Sequence, residues 1–147
     1  MNQFIKKVSV SLMALLMVSI TALAGSNAAK SAKTSSFNWN PVMDAIIQVE
    51  SEGNPNAVSG NSVGVMQITP ILVKECNNIL IEQKSKKRYT MADRYSVEKS
   101  KEMFLLIQKY FNPENNVEKA IRSWNGGRKY SVKATNKYYN KVLAKMK

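Results

Sequence analysis

Five apolar stretches at helical spacing, most of them opened by a capping residue, constrain this chain more than any other feature. Asn40-Pro41 reads as an N-cap and a first-turn proline, whose missing N–H would have no partner there anyway. Val42, Met43, Ile46, Ile47 and Val49 supply an apolar face, and Gly53 with Pro55 ends it. Thr69-Pro70 repeats the start signal and opens a helix through Ile71, Leu72 and Cys76 towards Leu80. Ser96 caps a third, with Val97, Met103, Phe104, Ile107, Tyr110 and Phe111 inward. Asn116 starts a short fourth, in which Val117, Ala120, Ile121 and Trp124 recur at helical spacing until Gly126-Gly127. A last helix carries Val132, Thr135, Tyr138, Tyr139, Val142, Leu143 and Met146. No stretch alternates as a half-buried strand does, and no internal repeat is visible. The pattern predicts a single all-α domain with little or no sheet.

The N-terminal residues read differently. Lys6 and Lys7 precede an uncharged apolar run from Val8 to Leu23, and Ala22-Leu23-Ala24 matches an A-x-A cleavage site. Residues 1–24 are therefore expected to be a secretory signal peptide, not a membrane span. Ser26, where a lipoprotein would need a cysteine, argues against a lipid anchor. Residues 25–36, small and polar, are expected to be a disordered leader, and residues 37–147 the folded domain. About 110 residues bury a modest core. The protein is thus expected to be exported, periplasmic or secreted.

Composition removes whole classes of chemistry. The chain has no histidine, so Ser-His-Asp catalysis and the commonest zinc ligand are both missing. Cys76 is the only cysteine, which excludes an internal disulfide and fits a buried small apolar side chain. The ten acidic residues are scattered, so no metal and no cofactor are expected. Carboxylate, lysine and tyrosine remain for catalysis. The formal charge of +12 falls to +10 without Lys6 and Lys7. Lysines on solvated helix faces account for much of it, and an anionic partner is the alternative. The densest basic run lies at residues 83–88. Nucleic acid would suit it on charge alone, but export favours the anionic polymers of the cell envelope, so no nucleic-acid partner is expected.

Glu50 stands out within "VESEGNPNAVSGNSVGVMQITP", residues 49–70. It falls in the last turn of the first helix, where unpaired carbonyls disfavour a second negative charge. Val49 and Ile46 give it an apolar side, and Glu52 is a nearby like charge. All three effects raise a carboxyl pKa. A free glutamic acid, with pKa about 4.3, is protonated roughly one time in 500 at pH 7. With a pKa of about 6 it would be protonated roughly one time in ten, as a glycosidase acid requires. The alternative is an ordinary exposed glutamate at a helix end.

In order, "VESEGNPNAVS", "VGVMQITP", "SWNGG" and "TNKYYNKVL" resemble the motifs of the SLT-type lytic transglycosylases, lysozyme-like enzymes that cleave peptidoglycan. The resemblance covers most of residues 39–143. It implies an α-helical, lysozyme-like fold of the α+β superfamily with little sheet, a glycan groove, and Glu50 as sole catalytic acid/base. Carried over by position, Ser51 orients Glu50 or touches substrate, and Met66 and Gln67 line the groove beside the cleaved bond. Asn125 holds the cleft wall, and Tyr138 offers an aromatic face with a hydroxyl. Met66 is equally suited to the core, Asn125 to capping its helix, and Tyr138 and Trp124 to packing, although Trp124 can also stack on a sugar. Three places depart from the family: Ser123-Trp124-Asn125 replaces Ala-Tyr-Asn, Ala134-Thr135-Asn136-Lys137-Tyr138 replaces Glu-Thr-Arg-x-Tyr, and the Gly60 to Gly64 loop lacks the usual glycine spacing.

The resemblance implies cleavage of the β-1,4 bond between N-acetylmuramic acid and N-acetylglucosamine, with 1,6-anhydro-muramic ends. A lysozyme-type hydrolase is the close alternative. A monomer acting on peptidoglycan glycan strands is expected. The alternatives from other classes are a non-catalytic peptidoglycan-binding accessory of an envelope-spanning protein complex and, on charge alone, a cationic membrane-active protein.

Overall fold

The computed structural model describes residues 37–146. The expected signal peptide and leader, residues 1–36, lie outside the described residues. In chain order the elements are α1 (Asn40–Ser51), β1 (Val58–Ser59), β2 (Ser62–Val63), α2 (Pro70–Glu82), a 3-10 turn (Ala92–Tyr95), α3 (Val97–Phe111), α4 (Val117–Gly126) and α5 (Val132–Leu143). The fold is therefore mostly helical. Its sheet is one antiparallel ladder, Val58 opposite Val63 and Ser59 opposite Ser62, too short to leave an alternating pattern in sequence.

Local chemistry sets most of the helix starts. Thr69, Ser96, Asn116 and Ser131 each accept a backbone N–H three residues on, from Leu72, Lys99, Lys119 and Ala134. The first helix departs from expectation: Asn40 is already helical, the N-cap position falls on Trp39 with no side-chain cap, and Asn38 Oδ1, one residue earlier, accepts the Asn40 N–H at 3.1 Å. At its other end Glu52 turns left-handed at φ 53°, followed by Gly53 at φ 85°.

Ile46 of α1, Met103 and Phe104 of α3, Ala120 and Ile121 of α4 and Val142 of α5 are fully buried at the centre of the core. Trp39, Phe104 and Trp124 form a chain of rings, the first pair edge-on at 5.6 Å and the second tilted at 5.2 Å between centroids. Cys76 is buried with them, and burial beside Glu75 pushes its thiol up to about 12, the inert state of a small core residue. The inner stripe of α3 is Ser100, Met103, Phe104 and Gln108, with Ile107 beside it, while Val97 is 44% exposed and Tyr110 also faces out. The buried stripe is rotated from the expected one because polar Ser100 and Gln108 face inward on either side of Met103 and Phe104. Among the described residues no helix is long and apolar enough to cross a membrane.

Candidate active site

The segment between β2 and α2 is held from three sides. Gly64 has φ +75°, and a Cβ there would lie 1.9 Å from the Arg94 carbonyl oxygen, so only glycine allows that approach. The Gln67 N–H closes a turn on the Gly64 carbonyl at 3.1 Å, with Gln67 itself left-handed at φ 50°. Ser51 Oγ donates to the Val65 carbonyl at 2.8 Å, and Trp124 Nε1 donates to the next carbonyl, Met66, at 3.2 Å. From outside, Arg94 Nη1 donates to the carbonyls of Asn61 and Ile68. The end of α1, the turn and α4 are thereby tied into one frame.

Glu50 sits half-buried at the edge of that frame. Tyr138 reaches across from α5 and donates its hydroxyl to Glu50 Oε1 at 2.6 Å. Burial raises the Glu50 pKa above its ordinary 4.5, and the Tyr138 hydrogen bond partly opposes it. Burial is the one of the three expected causes that acts here; Glu52 is exposed and not among them. Tyr138 is itself pushed far up by burial and by the Glu50 charge, so it remains a neutral donor. A cleft of about 190 Å³ opens beside the carboxyl, lined by Glu50, Ser62, Gln67, Ile68, Thr69, Leu72, Trp124 and Asn125. Among the described residues no second carboxylate lines it. Gln67 Nε2 is spent on the Gly64 and Ala57 carbonyls, at 3.0 and 3.3 Å, which fixes its amide at the cleft wall.

The structure brings Glu50, Gln67, Trp124 and Asn125 around one cleft and adds Tyr138 through its bond to Glu50. Two expected residues lie outside the cleft lining. Met66 is 0% exposed, and its side chain belongs to the core. The turn that puts Gln67 in the cleft points Met66 the opposite way, and only the Met66 carbonyl serves the frame. Ser51 is absent from the cleft lining; its hydroxyl ties α1 to the turn and accepts the Gly53 N–H at 3.2 Å. It ties the segment to the end of α1. Ser62, Thr69 and Leu72 line the cleft without having been expected. Thr69 carried only a capping signal, and Leu72 only a helical one.

The mostly helical domain with its tiny sheet is compatible with a lysozyme-like fold, and it sets one half-buried glutamate beside a polar cleft. The chain belongs to the transglycosylase SLT domain family, whose model matches residues 27–146. Neither the curated proteins nor the solved structures gave a match. The family places the chain among peptidoglycan-directed, lysozyme-like transglycosylases.

Proposed function

We propose that this protein is an exported peptidoglycan lytic transglycosylase in which Glu50 is the sole acid and base. The supporting observation is a carboxyl whose pKa burial raises, at the wall of a polar cleft that holds no other carboxylate among the described residues. Tyr138 occupies Oε1, which leaves Oε2 to carry the proton. Glu50 gives that proton to the glycosidic oxygen linking N-acetylmuramic acid to N-acetylglucosamine, and the C1–O4 bond breaks. The acetamido oxygen of the muramic sugar takes up the positive charge at C1 in a cyclic oxazolinium, the task a second carboxylate performs in ordinary glycosidases. Glu50, now ionised and held by the Tyr138 hydroxyl, removes the proton from the muramic 6-hydroxyl. That oxygen bonds to C1, expels the acetamido oxygen and closes the 1,6-anhydro ring, which returns Glu50 to its acid form.

Gln67 and Asn125 are placed to bind the sugar's polar groups, and the exposed part of Trp124 to face a ring. The Trp124 N–H is consumed by Met66, so it contributes no donor to the cleft. Mass analysis of digested peptidoglycan tests the outcome: products lighter by one water than their hydrolytic counterparts support the lytic route. Active protein yielding only hydrated ends would make it a hydrolase.

A further inference from the structure

Tyr138 reaches Glu50 from α5, and α5 is anchored unevenly. Val142, fully buried, fixes its C-terminal half to the core. Ahead of Tyr138 the residues of α5 are exposed apart from polar Thr135, so polar contacts must fix this end. A buried cation supplies them. Arg122 of α4 is 4% exposed. Its Nη1 donates to the Val132 carbonyl at 3.1 Å and to Thr135 Oγ1 at 3.2 Å, and its Nη2 to Asn136 Oδ1 at 3.5 Å. The guanidinium carbon lies 4.1 Å from the centre of the Tyr139 ring. Glu118, one turn earlier on α4, takes Nε at 2.7 Å. One guanidinium thus holds four residues of α5, on both sides of Tyr138. One turn on, Gly126 lets the two helices touch: a Cβ there would lie 2.7 Å from Thr135 Cγ2. Ser123 and Trp124 of α4 instead line a mainly apolar cavity of about 560 Å³, with Gln108 and Phe111 of α3, and that cavity shares Thr69, Leu72 and Trp124 with the Glu50 cleft. Empty space braces nothing, so the spacing of α4 and α5 rests on the Arg122 and Gly126 seam.

Resting on the single-acid reading above, we propose that Arg122 is a positioning residue for the acid, holding α5 where the Tyr138 hydroxyl meets Glu50 Oε1. The tethers close a ring around the cleft. Ser51, next to Glu50, holds the Val65 carbonyl, and Trp124 holds the Met66 carbonyl, which registers α4 against the end of α1. Arg122 registers α5 against α4, and Tyr138 returns to Glu50. Arg122 stands outside the cleft lining, so it acts through Tyr138 and touches no substrate. The tolerance is narrow: a hydroxyl donor needs its acceptor within about 2.5–3.0 Å, so a drift of α5 by about 1 Å opens the bond. Arginine suits the task because its planar fork makes several directed bonds at once, whereas lysine offers a point charge.

The test is a carbon-13 titration of the Glu50 carboxyl in the full chain, which needs no turnover. Arg122→Met removes the fork, and Arg122→Lys keeps the charge without the fork. Both are expected to raise the Glu50 midpoint, towards but not beyond that of Tyr138→Phe, because the bond that lowers it is weakened. Added to Tyr138→Phe, Arg122→Met is expected to cause no further rise. Leu80→Ala, a core cut on α2 away from both the seam and the cleft, is expected to leave the midpoint in place. Backbone spectra check that each variant folds. A wild-type midpoint in either folded Arg122 variant overturns the proposal, as does an equal rise in Leu80→Ala. A rise that persists in the Tyr138→Phe background overturns it too, because it would trace to charge instead of position. Sacculus cleavage by wild type, with a midpoint that Arg122→Met leaves unmoved, would sink this proposal alone. A moved midpoint in a protein that cleaves nothing would sink only the enzymatic reading.

Discussion

The Glu50 cleft and the neighbouring apolar cavity share one wall yet are made by different physics. In the cleft, packing removes water from a single carboxyl, which raises its proton affinity, and a tyrosine fixes one of its oxygens. The cavity has about three times the volume, and its lining carries Glu75, Lys119 and Arg128, with Arg128 held over the Phe111 ring. Strength of chemistry thus follows desolvation of a particular group, and capacity for a ligand follows apolar volume. Trp124 separates the two, with its indole nitrogen anchored to the Met66 carbonyl and its ring against Phe104.

Glu50→Gln attacks the cleft alone, because Glu50 does not line the cavity. Release of soluble fragments from purified sacculi should fall by about a thousandfold, the loss expected when a general acid is removed. Equal release by wild type and variant would assign any cleavage to another group. Trp124→Ala breaks the shared wall. Loss of its hydrogen bond and ring packing should cost about 3–5 kcal/mol in thermal unfolding. A melting temperature within a degree of wild type would show that Trp124 is not the partition described.

Tyr138→Phe is the finer probe. Its hydroxyl lowers the Glu50 pKa against the rise caused by burial, so removing it raises that pKa further. A general acid works while protonated, so the alkaline limb of the activity profile should move to higher pH. The rate at its optimum should drop about tenfold, since the ionised Glu50 loses a charge-assisted hydrogen bond. A limb that moves to lower pH would mean that the hydroxyl does not stabilise the carboxylate.

Much of this was legible in local sequence. Thr69, Ser96 and Asn116 announced their helices because a side-chain cap is made within four residues. Glu50 and its neighbours carried the family pattern. Met66 and Gln67 show where legibility stops: both belong to one motif, but a left-handed residue and three tethers from distant elements decide which one faces the cleft. Gln108 was invisible for a related reason. A polar residue on an apolar stripe has no local signature of facing a cavity, and that cavity exists only once α2, α3 and α4 are packed.

The central claim is that a lone carboxyl holds its proton in a partly dry niche at the end of α1. The direct measurement is a carbon-13 titration of the Glu50 side-chain carboxyl in the folded protein. A midpoint above the ordinary 4.5 is predicted for wild type, and a higher one still for Tyr138→Phe. A wild-type midpoint at or below 4.5 would contradict the account, because the cleft would then hold a carboxylate with no proton to give.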